Sequence, residues 1–127
     1  MAKCFLIASA VSGFLSVALG AFGAHALKDR LDEYHLKVFH TGVQYQFFHV
    51  FALALVAVLI LRQYHPLLKA SGYAFIIGTI IFSGSLYLLA LTKVKLWGAV
   101  TPIGGLGFLI GWVLLAIALT KLEWNQE

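Results

Sequence analysis

The chain has 127 residues, of which 61% are hydrophobic and only 11% are charged. A soluble domain carries about 25% charged residues, and a fold of this size exposes too much surface to hide so many apolar side chains from water. The formal charge of +4 does not indicate a nucleic-acid partner, because the basic residues flank apolar runs, where Lys and Arg anchor helix ends at anionic headgroups. The composition excludes an ordinary soluble domain and predicts a membrane protein with lipids as its surroundings.

Hydropathy along the chain marks four candidate spans, at residues 4–24, 41–61, 70–91 and 103–120. A helix needs about 20 mostly apolar residues to cross a hydrocarbon core of roughly 30 Å. Backbone groups in hydrocarbon must form their hydrogen bonds within the segment, so we predict helices. The expected fold class is all-α, an integral membrane four-helix bundle forming one transmembrane domain over residues 1–127.

The first apolar run has a second interpretation. Lys3, the apolar stretch and the small-residue site Ala24–Ala26 resemble a secretory signal peptide. The stretch is longer than the 7–15 apolar residues typical of a signal peptide. We therefore expect a retained first helix.

The linker at residues 26–39 carries apolar residues at helical spacing on one face and charged residues mostly on the other. Lys28–Asp32 and Glu33–Lys37 are opposite-charge pairs four residues apart, a spacing that stabilises a helix. The pattern predicts a short amphipathic helix at the membrane interface. The alternative is that these residues extend the second helix beyond the bilayer.

The remaining connections are shorter. Residues 62–66 predict a tight hairpin, because Pro66 blocks continuation of the preceding helix. Thr101 and Pro102 predict an N-cap followed by proline at the first helical position. Lys and Arg residues are divided four against five between the two membrane sides, so the positive-inside rule leaves the orientation open.

Small residues supply the close contacts that helices need in lipid. The fourth run contains a GxxxG pattern at residues 107–111, and the first run has a row of small residues four apart: Ala8, Ser12, Ser16, Gly20 and Ala24. We expect the row to pack against another helix of the same chain. The alternative is a contact between copies in a homo-oligomer or with another membrane protein.

The second run opens with HTGVQYQFFH, residues 40–49. On a helical wheel one half-circle carries His40, Thr41, Gln44, Tyr45 and His49, with Gln46 on the opposite half. At 1.5 Å per residue, His49 lies about 13 Å deeper than His40, near the middle of the bilayer. Polar side chains at that depth face the protein interior. We expect this face to point toward Ser12 and Ser16 of the first span.

Four interpretations of this polar face stay open. The histidines, with His25 or His35, bind metal or haem; the imidazoles carry protons; the face lines a pocket for a lipid or another small polar ligand; or the side chains are only hydrogen-bonding contacts between helices. His40 and His49 are nine residues apart, which does not match the four-residue spacing that places two imidazoles on one metal. No catalytic motif is present, so we expect no enzyme activity, no metal and no cofactor.

The run LGAFGAHALKDRLDEYHLKVFHTGVQYQFFHVFAL, residues 19–53, resembles the signature of uncharacterised domain family 423, the YgdD/YwdK-like small membrane proteins of bacteria. Eukaryotic transmembrane protein 256 is similar. The later SGSLYLLAL and TPIGG segments fit as well. The resemblance implies a four-helix membrane protein with no agreed activity, and it supplies no catalytic residues. It also implies that the blocks at residues 20–26 and 41–49 form any site that the family shares.

These observations predict a multi-pass protein of the bacterial cytoplasmic membrane. The leading hypothesis is a non-enzymatic protein that binds a lipid-like or small polar ligand, or a protein partner, between spans one and two. The tentative ligand-binding residues are Ser12, Ser16, His25, His40, Thr41, Gln44, Tyr45 and His49. The alternative is an oligomeric proton-linked transporter or channel for a small solute.

Overall fold

A computed structural model of the chain describes residues 1–124, and these residues form four long helices. They are α1 (Ala2–His25), α2 (Glu33–Arg62), α3 (Pro66–Thr92) and α4 (Leu96–Lys121). All four are long and apolar enough to span a membrane, which confirms the all-α class and the four spans. Each helix is longer than its predicted apolar run, and α4 begins at Leu96 rather than at residue 103.

The first linker differs from the prediction of a separate amphipathic helix. Residues 26–32 form a turn, and the charged residues after it are the start of α2, as the alternative held. Asp32 ends the turn, because its carboxylate accepts a hydrogen bond from the backbone N–H of His35 (2.9 Å) and so caps α2. The hydrogen bond from the backbone N–H of His35 lowers the pKa of Asp32, and the hydrogen bond to the His35 ring nitrogen lowers it further.

The second hairpin is confirmed, and the start of the last helix is corrected. α3 begins at Pro66 with His65 as its N-cap. Thr101 is not an N-cap, because α4 already begins at Leu96 and continues through Pro102. The Thr101 hydroxyl donates to the Trp97 carbonyl (3.1 Å) and lies 2.6 Å from the Ser85 hydroxyl of α3. Pro102 lacks the N–H that would bond the Gly98 carbonyl, a loss that membrane helices tolerate.

The helices pack in sequence order, α1 on α2, α2 on α3 and α3 on α4. Helices that are not consecutive in the chain touch each other only at isolated positions. Phe5 of α1 covers Gly72 of α3, and the His49 ring of α2 stacks on Phe108 of α4. This order leaves one groove over α2, between α1 and α3, and another over α3, between α2 and α4.

At each of the three main interfaces, a serine hydroxyl donates a hydrogen bond to a backbone carbonyl of the neighbouring helix. The bonds are Ser9 to Val50 (2.8 Å), Ser83 to Gly42 (2.7 Å) and Ser71 to Gly111 (2.8 Å). A carbonyl has two lone pairs, so each acceptor keeps its helical bond as well. Such bonds hold helices together where lipid offers no hydrophobic driving force.

The small residues lie mainly at intrachain contacts. A Cβ added to Gly20 would lie 3.4 Å from Val43 of α2, and one added to Gly107 would lie 3.1 Å from the Gly78 Cα of α3. Ser16 is buried, whereas Ala24, at the end of the predicted row, is exposed. The GxxxG pattern and most of the α1 row therefore serve helix packing within one chain.

The interface between α3 and α4 gives a direct test of this packing. A Cβ added to Gly104 would overlap the backbone of Phe82, whereas one added to Gly105 would lie 3.8 Å from the Phe82 ring, an ordinary contact. We expect Gly104→Ala to lower the free energy of unfolding by about 1–3 kcal/mol, the usual cost of overpacking. The measurement is reversible unfolding in detergent followed by circular dichroism.

Gly105→Ala is the matched control, with the same substitution one residue away. It should leave stability unchanged or raise it slightly, because alanine favours helix more than glycine does. Equal stability of the two variants would contradict the proposed close approach of α3 and α4.

Candidate ligand site: a lateral groove over a polar floor

Gln46 is the centre of a hydrogen-bond network that joins three helices. Its side-chain amide donates to the Ser12 carbonyl of α1 (3.1 Å) and lies 3.4 Å from the Ser12 hydroxyl. Its amide oxygen accepts a hydrogen bond from the Tyr87 hydroxyl of α3 (2.6 Å). The Gln46 side chain is only 6% exposed. A buried amide without partners would be costly in hydrocarbon, so the network fixes α1 and α3 against α2.

His49 lies one turn further along α2, and both of its ring nitrogens are occupied. Nδ1 lies 2.7 Å from the Tyr45 carbonyl, which can only accept, so Nδ1 carries the hydrogen. The Trp112 indole N–H, which can only donate, lies 3.1 Å from Nε2. These partners fix a neutral imidazole with the proton on Nδ1, and they leave no free lone pair for a metal.

The groove between α1 and α3, here called the lateral groove, has a volume of about 530 Å³. Its walls are mostly aliphatic side chains of α1 and α3, and its floor is α2. Five polar residues contribute to its lining besides His49: Ser12, Gln46, Thr79, Ser83 and Tyr87. The volume lies within the roughly 300–1,000 Å³ of ligand sites in proteins.

Both ends of the lateral groove are closed by protein. Phe5 lies across Gly72 at the end near the chain termini. At the other end Tyr87 packs on Phe39, with ring centroids 5.1 Å apart, and Leu19 packs against the same apolar cluster. Since the helices cross the membrane, the open side of this groove faces the acyl chains.

The second groove, here called the aromatic groove, lies over α3 between α2 and α4 and has a volume of about 640 Å³. It is shallower, and its lining includes the rings of Tyr45, Phe82, Phe108 and Trp112. The His49 ring contributes to both grooves, because it stacks on Phe108 with centroids 3.6 Å apart on one side of α2 and borders the lateral groove on the other.

The structure separates the residues that the sequence analysis grouped. Ser12 and His49 line the lateral groove, and Tyr45 and His49 line the aromatic groove. Ser16 is buried and donates to the Ser12 carbonyl (2.8 Å), away from both linings. His25, His40, Thr41 and Gln44 line neither groove. A ligand-binding role for these eight residues stays a prediction.

The predicted inward face of α2 was wrong by part of a turn. Three residues of the predicted face are exposed: His40, Gln44 and Tyr45. Thr41 is half-buried, and its hydroxyl donates a hydrogen bond to the Lys37 carbonyl. Gln46, which was placed on the opposite face, is buried. His40 and Thr41 do not need internal partners, because they lie at the start of the apolar run, whereas Gln44 lies about one turn deeper and its side chain is exposed. Gln46 does need them, and it finds them on both neighbouring helices.

Sequence reasoning missed Gln46 itself, its partner Tyr87, the Trp112 donor to His49, and Thr79 on the groove wall. One signal was available for the correct face of α2. Gly42, Gln46, His49 and Leu53 recur at three- and four-residue spacing, and all four are buried. A wheel that included the small and apolar residues would have selected this stripe. Nothing in the sequence indicated that Trp112 would donate to His49.

The Trp112 contact predicts a defined tautomer of His49. In the full chain, ¹⁵N spectra of labelled histidine should show His49 protonated at Nδ1 only. Trp112→Phe removes the donor to Nε2, so His49 should no longer be restricted to protonation at Nδ1. The variant should also lower the free energy of unfolding by about 1 kcal/mol, the typical contribution of a hydrogen bond inside a membrane protein.

Trp97→Phe is the control, since the Trp97 indole donates none of the side-chain hydrogen bonds found among residues 1–124. It should leave the His49 signals unchanged. An Nε2-protonated His49 in the unmodified protein would contradict the assigned bonds.

Four spanning helices with short connections define a multi-pass α-helical protein of the inner membrane. The chain belongs to the protein family of unknown function DUF423, which matches residues 19–105. This confirms the family resemblance seen in the sequence.

Curated relatives cover almost the whole chain. The UPF0382 membrane protein YwdK of Bacillus subtilis is 40% identical over 94% of this chain and 98% of its own. The UPF0382 inner membrane protein YgdD of Escherichia coli is 42% identical over 95% of this chain and 92% of its own. A UPF0382 membrane protein of Staphylococcus epidermidis is 42% identical over 94% and 97%. No solved structure matches the chain.

Proposed function

We propose that the protein binds the apolar chain of a membrane amphiphile in the lateral groove. The observation that carries this proposal is a cleft of about 530 Å³ that is closed at both ends and open along its side toward lipid. A ligand enters such a cleft from the bilayer rather than from water. The mainly aliphatic walls match an acyl or isoprenoid chain.

Gly84 supports this role of the groove. It lies on the α3 wall, and a Cβ added to it would meet no atom within 4 Å. Elsewhere on α3, glycines make room for neighbouring side chains, as Gly78 does for Phe108. At Gly84 the missing side chain leaves space in the cleft that a ligand chain can occupy.

The bonds of His49 favour binding over proton-linked transport. A proton carrier must exchange a proton at an accessible nitrogen, and both nitrogens of His49 are held by Tyr45 and Trp112. The groove lining formed by residues 1–124 contains no Asp, Glu, Lys or Arg. Transport and a protein partner remain hypotheses that this geometry supports less than it supports an apolar ligand.

Filling the groove tests the proposal. Gly84→Leu should place an aliphatic side chain in the cleft, since a Cβ at this position meets no atom within 4 Å. We expect at least about a tenfold loss of co-purified amphiphile, because filling even part of a ligand's space removes several of its apolar contacts. Native mass spectrometry of the detergent-solubilised full chain, with mass spectrometry of extracted lipids, measures the retained ligand.

Gly105→Leu is the matched control, because Gly105 has room for a Cβ and lines the aromatic groove instead. It should retain the ligand, and both variants should keep their helical content. Equal ligand retention by the unmodified protein and Gly84→Leu would refute binding in the lateral groove.

A further inference from the structure

Two hydroxyl groups in the lateral groove have hydrogens that no protein group accepts. Ser12 of α1 acts only as an acceptor, through its carbonyl and its hydroxyl oxygen. Thr79 of α3 takes part in none of the side-chain hydrogen bonds found among residues 1–124. No fully buried side-chain nitrogen or oxygen in that part of the chain lacks a partner. The Thr79 oxygen is therefore open to the groove.

The two hydroxyls lie on opposite walls at a similar depth. At 1.5 Å per residue, Ser12 is about 15 Å from the start of α1 and Thr79 about 20 Å from the start of α3, both measured from the same membrane side. His49 is about 20 Å from the end of α2 on that side. These distances place the hydroxyls near the middle of a hydrocarbon core of roughly 30 Å.

A hydroxyl that faces hydrocarbon without a hydrogen-bond partner raises the free energy of the protein. A bound ligand with an acceptor at this depth would offset this cost. The ester carbonyls of a phospholipid lie at the interface and do not reach the middle of the core. An ionised headgroup does not fit either, because no charged side chain of the described residues lines the groove. The suitable group is neutral, accepts hydrogen bonds and enters the bilayer core.

We infer that the lateral groove binds an isoprenoid quinone, with one ring carbonyl accepting from Ser12 and the other from Thr79. Donors on opposite walls suit a ring that carries carbonyl groups on opposite edges. The aliphatic walls then hold the isoprenoid tail. This inference rests on the proposed function, since it names the ligand of the same groove.

The test compares two probes that share a chain and differ in the ring. Decylubiquinone and decylbenzene are equilibrated between nanodiscs that contain the full chain and empty nanodiscs, and each is quantified by mass spectrometry. The protein should prefer decylubiquinone by about 25-fold, since two hydrogen bonds of ordinary net strength each contribute about fivefold.

The variant Ser12→Ala with Thr79→Val should bring this preference close to one while decylbenzene binding is unchanged. The fold should persist, because Gln46 still donates to the Ser12 carbonyl (3.1 Å). Ser9→Ala is the matched control in the same helix. It removes a structural bond to Val50 and should lower stability without changing the preference.

The outcomes separate this inference from the proposed function. Equal affinity of the unmodified protein for both probes overturns the quinone inference, as does a preference that survives in the double variant or retention of phospholipid against excess decylubiquinone. If Gly84→Leu then still releases the bound amphiphile, the lateral groove remains a binding site for apolar chains. If Gly84→Leu releases nothing, both proposals fail.

Discussion

A buried side-chain amide in the hydrocarbon has to find its hydrogen-bond partners inside the protein, because lipid chains offer none. In this family member the requirement is concentrated at Gln46, whose amide bonds to Ser12 on one side and to Tyr87 on the other. One side chain of α2 therefore determines where both neighbouring helices lie. The serine-to-carbonyl bonds at the three interfaces apply the same constraint at other depths.

The open arrangement of the helices follows from these pairwise bonds. Most of the side-chain hydrogen bonds between helices join helices that are consecutive in the chain, and the glycines of α3 and α4 bring that pair into close contact. Among the hydrogen bonds of residues 1–124, none joins α1 to α3 along the middle of the membrane, so a cleft remains there above Gln46 and His49. A structural network thus produces the lateral groove, and the same network supplies the polar floor on which the proposed function depends.

The sequence predicted the spans well, because an apolar run of about 20 residues has few alternatives to a membrane helix. It predicted the linkers less well. The charges before α2 fit either a surface helix or an extension of α2, and the cap at Asp32 decides between them. Of the eight residues predicted to bind a ligand, Ser12 and His49 line the lateral groove, and their binding role stays a prediction. Gln44 and Gln46 are the same type of residue in the same run. The partners on α1 and α3 show that Gln46 is the one that is buried. The partners themselves, Tyr87 and Trp112, lie 41 and 63 residues away from their acceptors, beyond any local pattern.

A double-mutant cycle between Gln46 and Tyr87 tests the central claim most directly. Gln46→Met removes the amide, Tyr87→Phe removes the hydroxyl, and unfolding of the two single variants, the double variant and the unmodified chain in bilayer-like detergent gives their coupling. A bond that joins α2 to α3 predicts a coupling of about 0.6 kcal/mol and at most about 1.7 kcal/mol, the mean and the maximum measured for such pairs in a membrane protein. A coupling of zero would contradict the account.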